Sequence, residues 1–197
     1  MVNLEHLIQK YNLVEVRGDN FIIDMMYAHS NNIVSTPVYK NIGFGDKAFL
    51  NAKAYAALKK LEPELKKLNM KLRICDAFRP LEAHREFLRL APVKGLFKAV
   101  PEESLHCHGL AVDCCLTDEN GKNLSYPTEI DAYTPEFAKE LQNKNYDNYF
   151  RHLSKAGYNF ENCSEEQKQN RQFLRQFMQN AGFSPILNEW WHFNFIS

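Results

Sequence analysis

The sequence carries no surplus of charge of either sign. Lysine and arginine together number 24, as do aspartate and glutamate, so the formal net charge is zero with neutral histidines. General electrostatic binding to nucleic acid or to an anionic membrane surface needs an excess of positive charge. The balanced composition therefore argues against both classes of partner.

A long apolar run is also missing. No stretch approaches the roughly 20 residues that a helix needs to span a bilayer, so we expect no membrane span. The N-terminal segment has Glu5, His6 and Gln9 inside its apolar stretch, a pattern unlike that of a signal peptide. These features favour a cytoplasmic protein, with the periplasm as the alternative if a signal peptide was removed earlier.

Cysteines are few, and their spacing excludes two common uses. The five lie at positions 75, 107, 114, 115 and 163. An odd number with two neighbours does not make a disulfide framework, and the absence of a C-x-x-C pair argues against a thiolate zinc site of the finger type. Reduced thiols in the cytosol are the simpler interpretation.

Length and composition are those of a globular protein. The chain has 197 residues, of which 45% are hydrophobic and 24% charged, which excludes wholesale disorder. No internal repeat, low-complexity tract or linker divides the sequence. The length is that of about one domain, so we expect a single domain over 1–197.

Local patterns predict alternating helices and strands. The predicted elements are mixed strand and loop over 21–45, a helix over 46–68 kinked or split at Pro63, a strand over 71–75, a helix over 81–90, a strand over 110–116, one or two helices over 135–157, a helix over 165–181 and a strand over 190–196. Asn120-Gly121 is a hairpin-turn signal. Ser164 and Gly182 suit the two ends of the last helix. The pattern predicts an α+β fold with a mainly antiparallel sheet flanked by helices.

Two histidines and an aspartate have the chemistry of a metal site. Catalytic zinc needs about three protein ligands and an open position for water. His106 and Asp113 lie seven residues apart across Gly109, which can turn the chain into a strand, and His192 comes from the C-terminal strand. Two imidazoles and one carboxylate would leave such a site able to acidify a water.

Glu189 is the candidate general base. It precedes His192 by three residues, and in a regular strand an odd separation places two side chains on opposite faces. Glu189 can therefore approach the site only if it lies at an irregular entry to the strand. A carboxylate there suits proton transfer.

Each of these residues also has an ordinary structural interpretation. A single histidine or aspartate near a glycine is more often a turn or core residue, and Arg79 alone would more often form a surface ion pair. His106 and His108 could share one strand face, so spacing leaves either as the ligand. Trp190 and Trp191 are expected to pack in the core.

Five segments together resemble one enzyme family, the zinc D,D-peptidases that include the D-Ala-D-Ala dipeptidases of the vancomycin-resistance type. The family pattern S-x-H-x-x-G-x-A-x-D is met at 104–113, E-W-W-H at 189–192, and D-(G/A)-Y-R-P at 76–80 with Phe in place of Tyr. Segments 24–27 and 127–131 resemble two further family regions. The likeness runs from about residue 20 to 196.

The resemblance implies a fold, a metal and a set of catalytic residues. The fold would be that of the D,D-peptidases and hedgehog-like domains. One Zn²⁺ per chain would be held by His106, Asp113 and His192. Glu189 would be the catalytic base, and Arg79 would stabilise the developing oxyanion.

The resemblance also implies substrate contacts. Tyr27, Ser104 and Asp131 match positions that line the dipeptide pocket, with Asp131 facing the free amino group, and His106 rather than His108 matches the ligand position. The chain departs from the family at four positions, Cys107, His108, Cys114 and Cys115. Because a thiol next to the metal could coordinate it, coordination by one of these cysteines stays open.

The function implied is zinc-dependent hydrolysis of D-Ala-D-Ala, a small D,D-dipeptide, to two D-alanines. One alternative is a D,D-carboxypeptidase or peptidoglycan peptidase that accepts longer stem peptides. Another is a zinc-bearing binding domain without catalysis. The presence of both Glu189 and Arg79 argues against the last, because a structural zinc site needs neither.

Overall fold

A five-stranded sheet lies at the centre of the fold. The computed structural model describes residues 1–91, 94–143 and 145–196. Its strands are β1 (Leu13–Glu15), β2 (Phe21–Ile23), β3 (Phe49–Asn51), β4 (Lys71–Asp76), β5 (Ala111–Thr117), β6 (Phe183–Pro185) and β7 (His192–Phe195). The central sheet has the strand order β2-β4-β5-β7-β6, and β1 pairs with β3 in a separate two-stranded sheet.

Helices surround this sheet. They are α1 (Leu4–Tyr11), α2 (Val38–Asn41), α3 (Ala52–Lys59), α4 (Glu62–Lys67), α5 (Leu81–Leu90), α6 (Pro135–Gln142), α7 (Asp147–Leu153) and α8 (Glu165–Asn180). Short 3₁₀ turns occur among them, including Leu105–His108 and Ile130–Ala132. Within the described ranges, no helix combines the length and apolar character needed to cross a membrane.

Antiparallel pairing dominates the central sheet, as expected. β4 with β5, β5 with β7 and β6 with β7 are antiparallel, whereas β2 with β4 is parallel. The predicted α+β class is therefore confirmed. β5 is buried along its whole length, which fits its run of apolar and small residues at the middle of the sheet.

The helix expected from Asp46 is wrong at its start. Phe49–Asn51 forms β3 and pairs with Leu13–Glu15, and the helix begins only at Ala52. The Asn51 side chain accepts a hydrogen bond from the main-chain N–H of Lys53 and so caps that helix. The expected break at Pro63 is confirmed, because α4 starts as a separate helix with Pro63 in its first turn.

The C-terminal elements match their expected positions closely. Ser164 accepts from Gln167 in a capping box at the start of α8, and Gly182 after the helix has a φ of 93°, a conformation that favours glycine. The last strand is shorter than expected and begins at His192. Trp190 and Trp191, directly before it, are each 1% exposed, so both pack in the core.

Candidate active site

His106, Asp113 and His192 lie together where β5 pairs with β7 in the central sheet. The Nε2 atom of His106 is 3.4 Å from Oδ2 of Asp113 and 3.2 Å from Nδ1 of His192. Nδ1 of His192 is 2.9 Å from Oδ1 of Asp113. Of the described residues, these three form the one group of histidine, cysteine or acidic side chains close enough to hold a metal ion.

Sheet register explains why Asp113 meets His192. The two residues are direct cross-strand partners of β5 and β7, so their side chains project to the same face. His106 reaches them from the 3₁₀ turn Leu105–His108, which Gly109 links to β5. Gly109 has a φ of +67°, and a Cβ there would lie 2.8 Å from the main-chain nitrogen of Asn51, so this turn requires glycine.

Hydrogen bonds on the far side of each ring orient the two imidazoles. Nδ1–H of His106 donates to the carbonyl of Ala77 at 2.8 Å, because a carbonyl can only accept. Nε2–H of His192 donates to the Asn194 side-chain oxygen at 2.8 Å. In the neutral rings, Nε2 of His106 and Nδ1 of His192 therefore direct lone pairs toward Asp113, an arrangement that needs a proton or a cation between them.

Electrostatics favour that positive charge. Burial opposes protonation of His192, but the hydrogen bond and charge of Asp113 outweigh it and raise the pKa of His192 to about 9. Burial alone would raise the pKa of Asp113, but His106 and His192 hold it well below its usual range. At neutral pH the cluster thus carries a proton on His192, which a metal ion must displace.

Glu189 lies at the irregular entry to β7. One of its carboxylate oxygens is 3.9 Å from Nδ1 of His192. The three-residue separation therefore does not place Glu189 on the face opposite to His192. Burial raises the pKa of Glu189. The carboxylate borders the cluster and is partly open to the same cavity.

Arg79 is held by a buried ion pair. Its Nε and Nη2 atoms donate to one oxygen of Asp76 at 3.1 and 2.6 Å, and the other oxygen accepts from the Tyr39 hydroxyl at 2.5 Å. Asp76 is the cross-strand partner of Asp113, reached through a bulge in β4. Arg79 also lines the cavity that the cluster borders.

Tyr27 and Asp131 form a second polar pair. The Tyr27 hydroxyl donates to Oδ2 of Asp131 at 2.5 Å. Asp131 has a φ of 54°, and Ala132 after it also has a positive φ of 48°, a pairing of strained residues that is most common at functional sites. Burial and the charge of Asp113 raise the pKa of Asp131 to about 7.

All eight residues expected at the site border one cavity of about 440 Å³, which we call the main cavity. They are Tyr27, Arg79, Ser104, His106, Asp113, Asp131, Glu189 and His192. His108 is not among its lining residues. Its Nε2–H donates to the main-chain carbonyl of Glu102 at 2.8 Å.

A buried histidine on α5 was not anticipated from the sequence. Nε2–H of His84 donates to the carbonyl of Lys98 at 2.8 Å, so its Nδ1 accepts, and the Cys107 thiol lies 3.6 Å away. Burial lowers the pKa of His84 and raises that of Cys107 to about 11, so both stay neutral. His84 thereby ties the segment with Leu96 and Phe97, which lines the main cavity, to the turn that carries His106.

Replacing His84 with phenylalanine should destabilise the protein. The substitution removes the hydrogen bonds of His84 to the Lys98 carbonyl and to the buried Cys107 thiol, and loss of such bonds typically costs about 1–3 kcal/mol. Chemical denaturation of the two proteins measures the difference. His84→Gln should recover part of the loss, since its amide nitrogen can occupy the Nε2 position, and His6→Phe at an exposed site is the control. Equal stability of all four proteins would contradict this role.

The ligand set suits a metal ion, and zinc in particular. Two imidazole nitrogens and one carboxylate oxygen are ligands that Zn²⁺ accepts in catalytic sites. The hydrogen bonds to Ala77 and Asn194 supply the outer support that such histidines need. None of the described cysteines belongs to the cluster, and Cys114 and Cys115 are buried along β5.

Comparison with known proteins gives the family. The family model Peptidase M15, described as D-ala-D-ala dipeptidase, matches residues 9–197. A D-alanyl-D-alanine dipeptidase of Escherichia coli (strain K12) is 27% identical over 178 residues, which cover 87% of this chain and 77% of that protein. A chain from the structure of the LdcB LD-carboxypeptidase matches with a TM-score of 0.42 and 18% identity, over 76% of this chain and 60% of that chain.

A buried His-Asp-His cluster that shares a cavity with a carboxylate and an arginine is the kind of site that metallohydrolases use. The match over nearly the whole length is more specific. The chain belongs to peptidase family M15, the D-Ala-D-Ala dipeptidase family, and is a peptidase. The resemblance inferred from the five sequence segments is thereby confirmed.

Proposed function

We propose that the protein is a zinc-dependent dipeptidase that hydrolyses free D-Ala-D-Ala to two D-alanines. The observation that supports this most directly is the convergence of three ligand side chains, a carboxylate, an arginine and the Tyr27–Asp131 pair on one cavity of about 440 Å³. Each group has a separate task in hydrolysis of a short peptide with a free amino end.

The metal would be held by Nε2 of His106, Nδ1 of His192 and the carboxylate of Asp113. When bound, one zinc ion per chain would supply a Lewis acid that polarises the peptide carbonyl and makes a water molecule more acidic. The chain contributes the orientation of these three ligands, which the sheet register and the bonds to Ala77 and Asn194 determine.

Glu189 would transfer the proton. Its carboxylate accepts a proton from the attacking water and then gives it to the amine that leaves. Burial raises the pKa of Glu189, which brings it closer to the neutral range in which one group can act as base and then as acid. Its place beside His192, at 3.9 Å, puts this transfer next to the ligand cluster.

Arg79 would stabilise the negative charge that develops on the carbonyl oxygen. The Asp76 carboxylate fixes the guanidinium through two hydrogen bonds, and Arg79 lines the main cavity. The ring of Phe97 lies against the guanidinium, with 5.6 Å between Cζ and the ring centroid, and limits its movement. A preorganised donor of this kind typically contributes about 3–4 kcal/mol to transition-state stabilisation.

Asp131 would bind the ammonium group of the substrate. Its carboxylate borders the main cavity, and the Tyr27 hydroxyl supports it. An ammonium group would compensate a partly buried negative charge that otherwise has a raised pKa. Ser104, which is buried in the wall of the same cavity, is proposed as a further substrate contact.

Hydrolysis of D-Ala-D-Ala by the purified protein tests the proposal. We expect two D-alanines per dipeptide, loss of activity with a chelator, and recovery when zinc is added. An N-acylated tripeptide ending in D-Ala-D-Ala should be a poor substrate. Preferential cleavage of the tripeptide would favour the carboxypeptidase alternative, and metal binding without cleavage of either would favour the binding domain.

Metal content should distinguish the two neighbouring histidines. His106→Ala is expected to lose zinc, because one of three ligands is removed, whereas His108→Ala should retain about one zinc per chain. Elemental analysis after dialysis measures both. Zinc should bind more tightly at pH 8 than at pH 6, since it competes with the proton on His192. Full zinc content in His106→Ala would reject the ligand assignment.

A further inference from the structure

A smaller cavity of about 170 Å³ adjoins the main cavity. We call it the side cavity. Five residues line both cavities and so form their common boundary: Tyr27, Leu96, Phe97, Asp131 and Glu189. The proposed ammonium ligand Asp131 is therefore part of the wall between a site for peptide hydrolysis and a second space.

Most of the remaining residues that line the side cavity are aromatic or aliphatic. These residues are Ile33, Tyr149, Phe150, Leu153 and Trp191. Lys94 and Gly95, which are exposed, complete the lining. The Tyr149 hydroxyl donates to the main-chain carbonyl of Asp131 at 3.1 Å. The indole nitrogen of Trp191 is buried and has no hydrogen-bond partner among the described residues, so it is the one unpaired donor next to this lining.

The size and charge of the side cavity restrict what it can hold. A space of about 150 Å³ lined by leucine, isoleucine and phenylalanine is large enough to bind benzene, so about 170 Å³ admits a branched aliphatic side chain. Asp131 and Glu189 at the boundary would repel an acidic side chain. The lining therefore favours an uncharged apolar group.

We propose that the side cavity is a subsite for the side chain of the first residue of the dipeptide. This inference rests on the proposed function, in which Asp131 binds the substrate ammonium group. The side chain of that residue begins two bonds from the ammonium nitrogen and so at the boundary of the side cavity. The substrate class then includes dipeptides with a bulky apolar D-residue before D-alanine.

Two isomeric dipeptides test the subsite. D-Leu-D-Ala and D-Ala-D-Leu have the same atoms but place the isobutyl group on different residues. Burial of apolar carbons stabilises binding, so we expect kcat/KM for D-Leu-D-Ala to equal or exceed that for D-Ala-D-Ala, and to exceed that for D-Ala-D-Leu by about tenfold or more. Equal rates on the two isomers, or a preference for D-Ala-D-Leu, would overturn the proposal.

Filling the side cavity should reverse the preference. Leu153→Trp is expected to lower the ratio of kcat/KM for D-Leu-D-Ala to that for D-Ala-D-Ala by about tenfold, and Ile33→Phe provides the same test from another segment if the first variant does not fold. The control is Leu68→Trp at an exposed position of the C-terminal end of α4. An unchanged ratio in both cavity-filling variants would contradict the subsite.

A binding measurement separates this inference from the proposed function. Calorimetric titration of the zinc-loaded Glu189→Gln protein with each isomer needs no turnover and keeps the size of the side chain at the boundary of the side cavity. Tighter binding of D-Leu-D-Ala than of D-Ala-D-Leu would support the subsite. If the wild type did not cleave D-Ala-D-Ala, that failure would reject the proposed dipeptidase activity but not the subsite. Cleavage of D-Ala-D-Ala combined with no preference between the isomers would reject the subsite and leave the dipeptidase in place.

Discussion

Glu189→Ala is expected to lower kcat for D-Ala-D-Ala by about 10³-fold, within the range that general acid–base catalysis contributes. The carboxylate borders the ligand cluster without belonging to its three ligands, so zinc content and the free energy of unfolding should change little. The effect should appear in kcat more than in KM, because proton transfer occurs in the transition state. Steady-state kinetics at equal zinc content measure it.

Glu189→Gln provides the sharper comparison. Glutamine keeps the size and hydrogen-bonding capacity of the side chain but cannot accept the proton, so it should be about as inactive as alanine. Glu119→Ala, in an exposed turn, is the control for a lost carboxylate. Turnover by Glu189→Gln within tenfold of the wild type would place the base elsewhere.

Acetylation of the substrate amino group should reduce kcat/KM by about 10³-fold, which corresponds to about 4 kcal/mol. The acetylated dipeptide leaves the Asp131 carboxylate without its cation, and an unpaired buried charge is costly. Asp131→Asn should lose activity on free D-Ala-D-Ala and narrow the difference between the two substrates. Asparagine tolerates the positive φ of this position, so the variant should fold.

The pH dependence offers a check on the same residue. With a pKa of about 7, Asp131 loses its charge as the pH falls, and kcat/KM for free D-Ala-D-Ala should fall with it. A bound metal cation lowers that pKa, so the acid limb should lie at or below pH 7. Comparable rates on free and acetylated dipeptide in the wild type would contradict the role of Asp131 and support the carboxypeptidase alternative.

The sequence predicted best those elements that local chemistry defines. Ser164 and Gly182 mark the ends of α8 through capping and a positive φ, and Pro63 separates two helices. Phe49–Asn51 was missed because its spacing also fits a helix, and it becomes a strand only by pairing with Leu13–Glu15, far away in the sequence. Long-range pairing of this kind leaves no local signal.

In the candidate site, too, some features could be predicted from sequence motifs and others could not. The motifs brought together His106, Asp113 and His192, but spacing alone left His108 as an equal candidate. His84 was not predicted as a site residue because no sequence motif marks a single histidine on an amphipathic helix. Its place on the same buried face as Phe87 was the available signal, since a polar residue there requires partners. The side cavity depends on residues from separate segments and had no sequence pattern.

The division of the site between sheet and surrounding segments has a consequence for how selectivity can change. Asp113 and His192 face each other across two paired strands, and Asp76, which positions Arg79, lies on the next strand. Much of the side cavity comes from α7 and from the segment with Leu96 and Phe97. Exchange of α7 between family members should therefore transfer the substrate preference that we propose for the side cavity, while the residues assigned to the chemical step are retained. The sheet would then hold the residues of the chemical step in place, and the surrounding segments would determine which substrates are accepted.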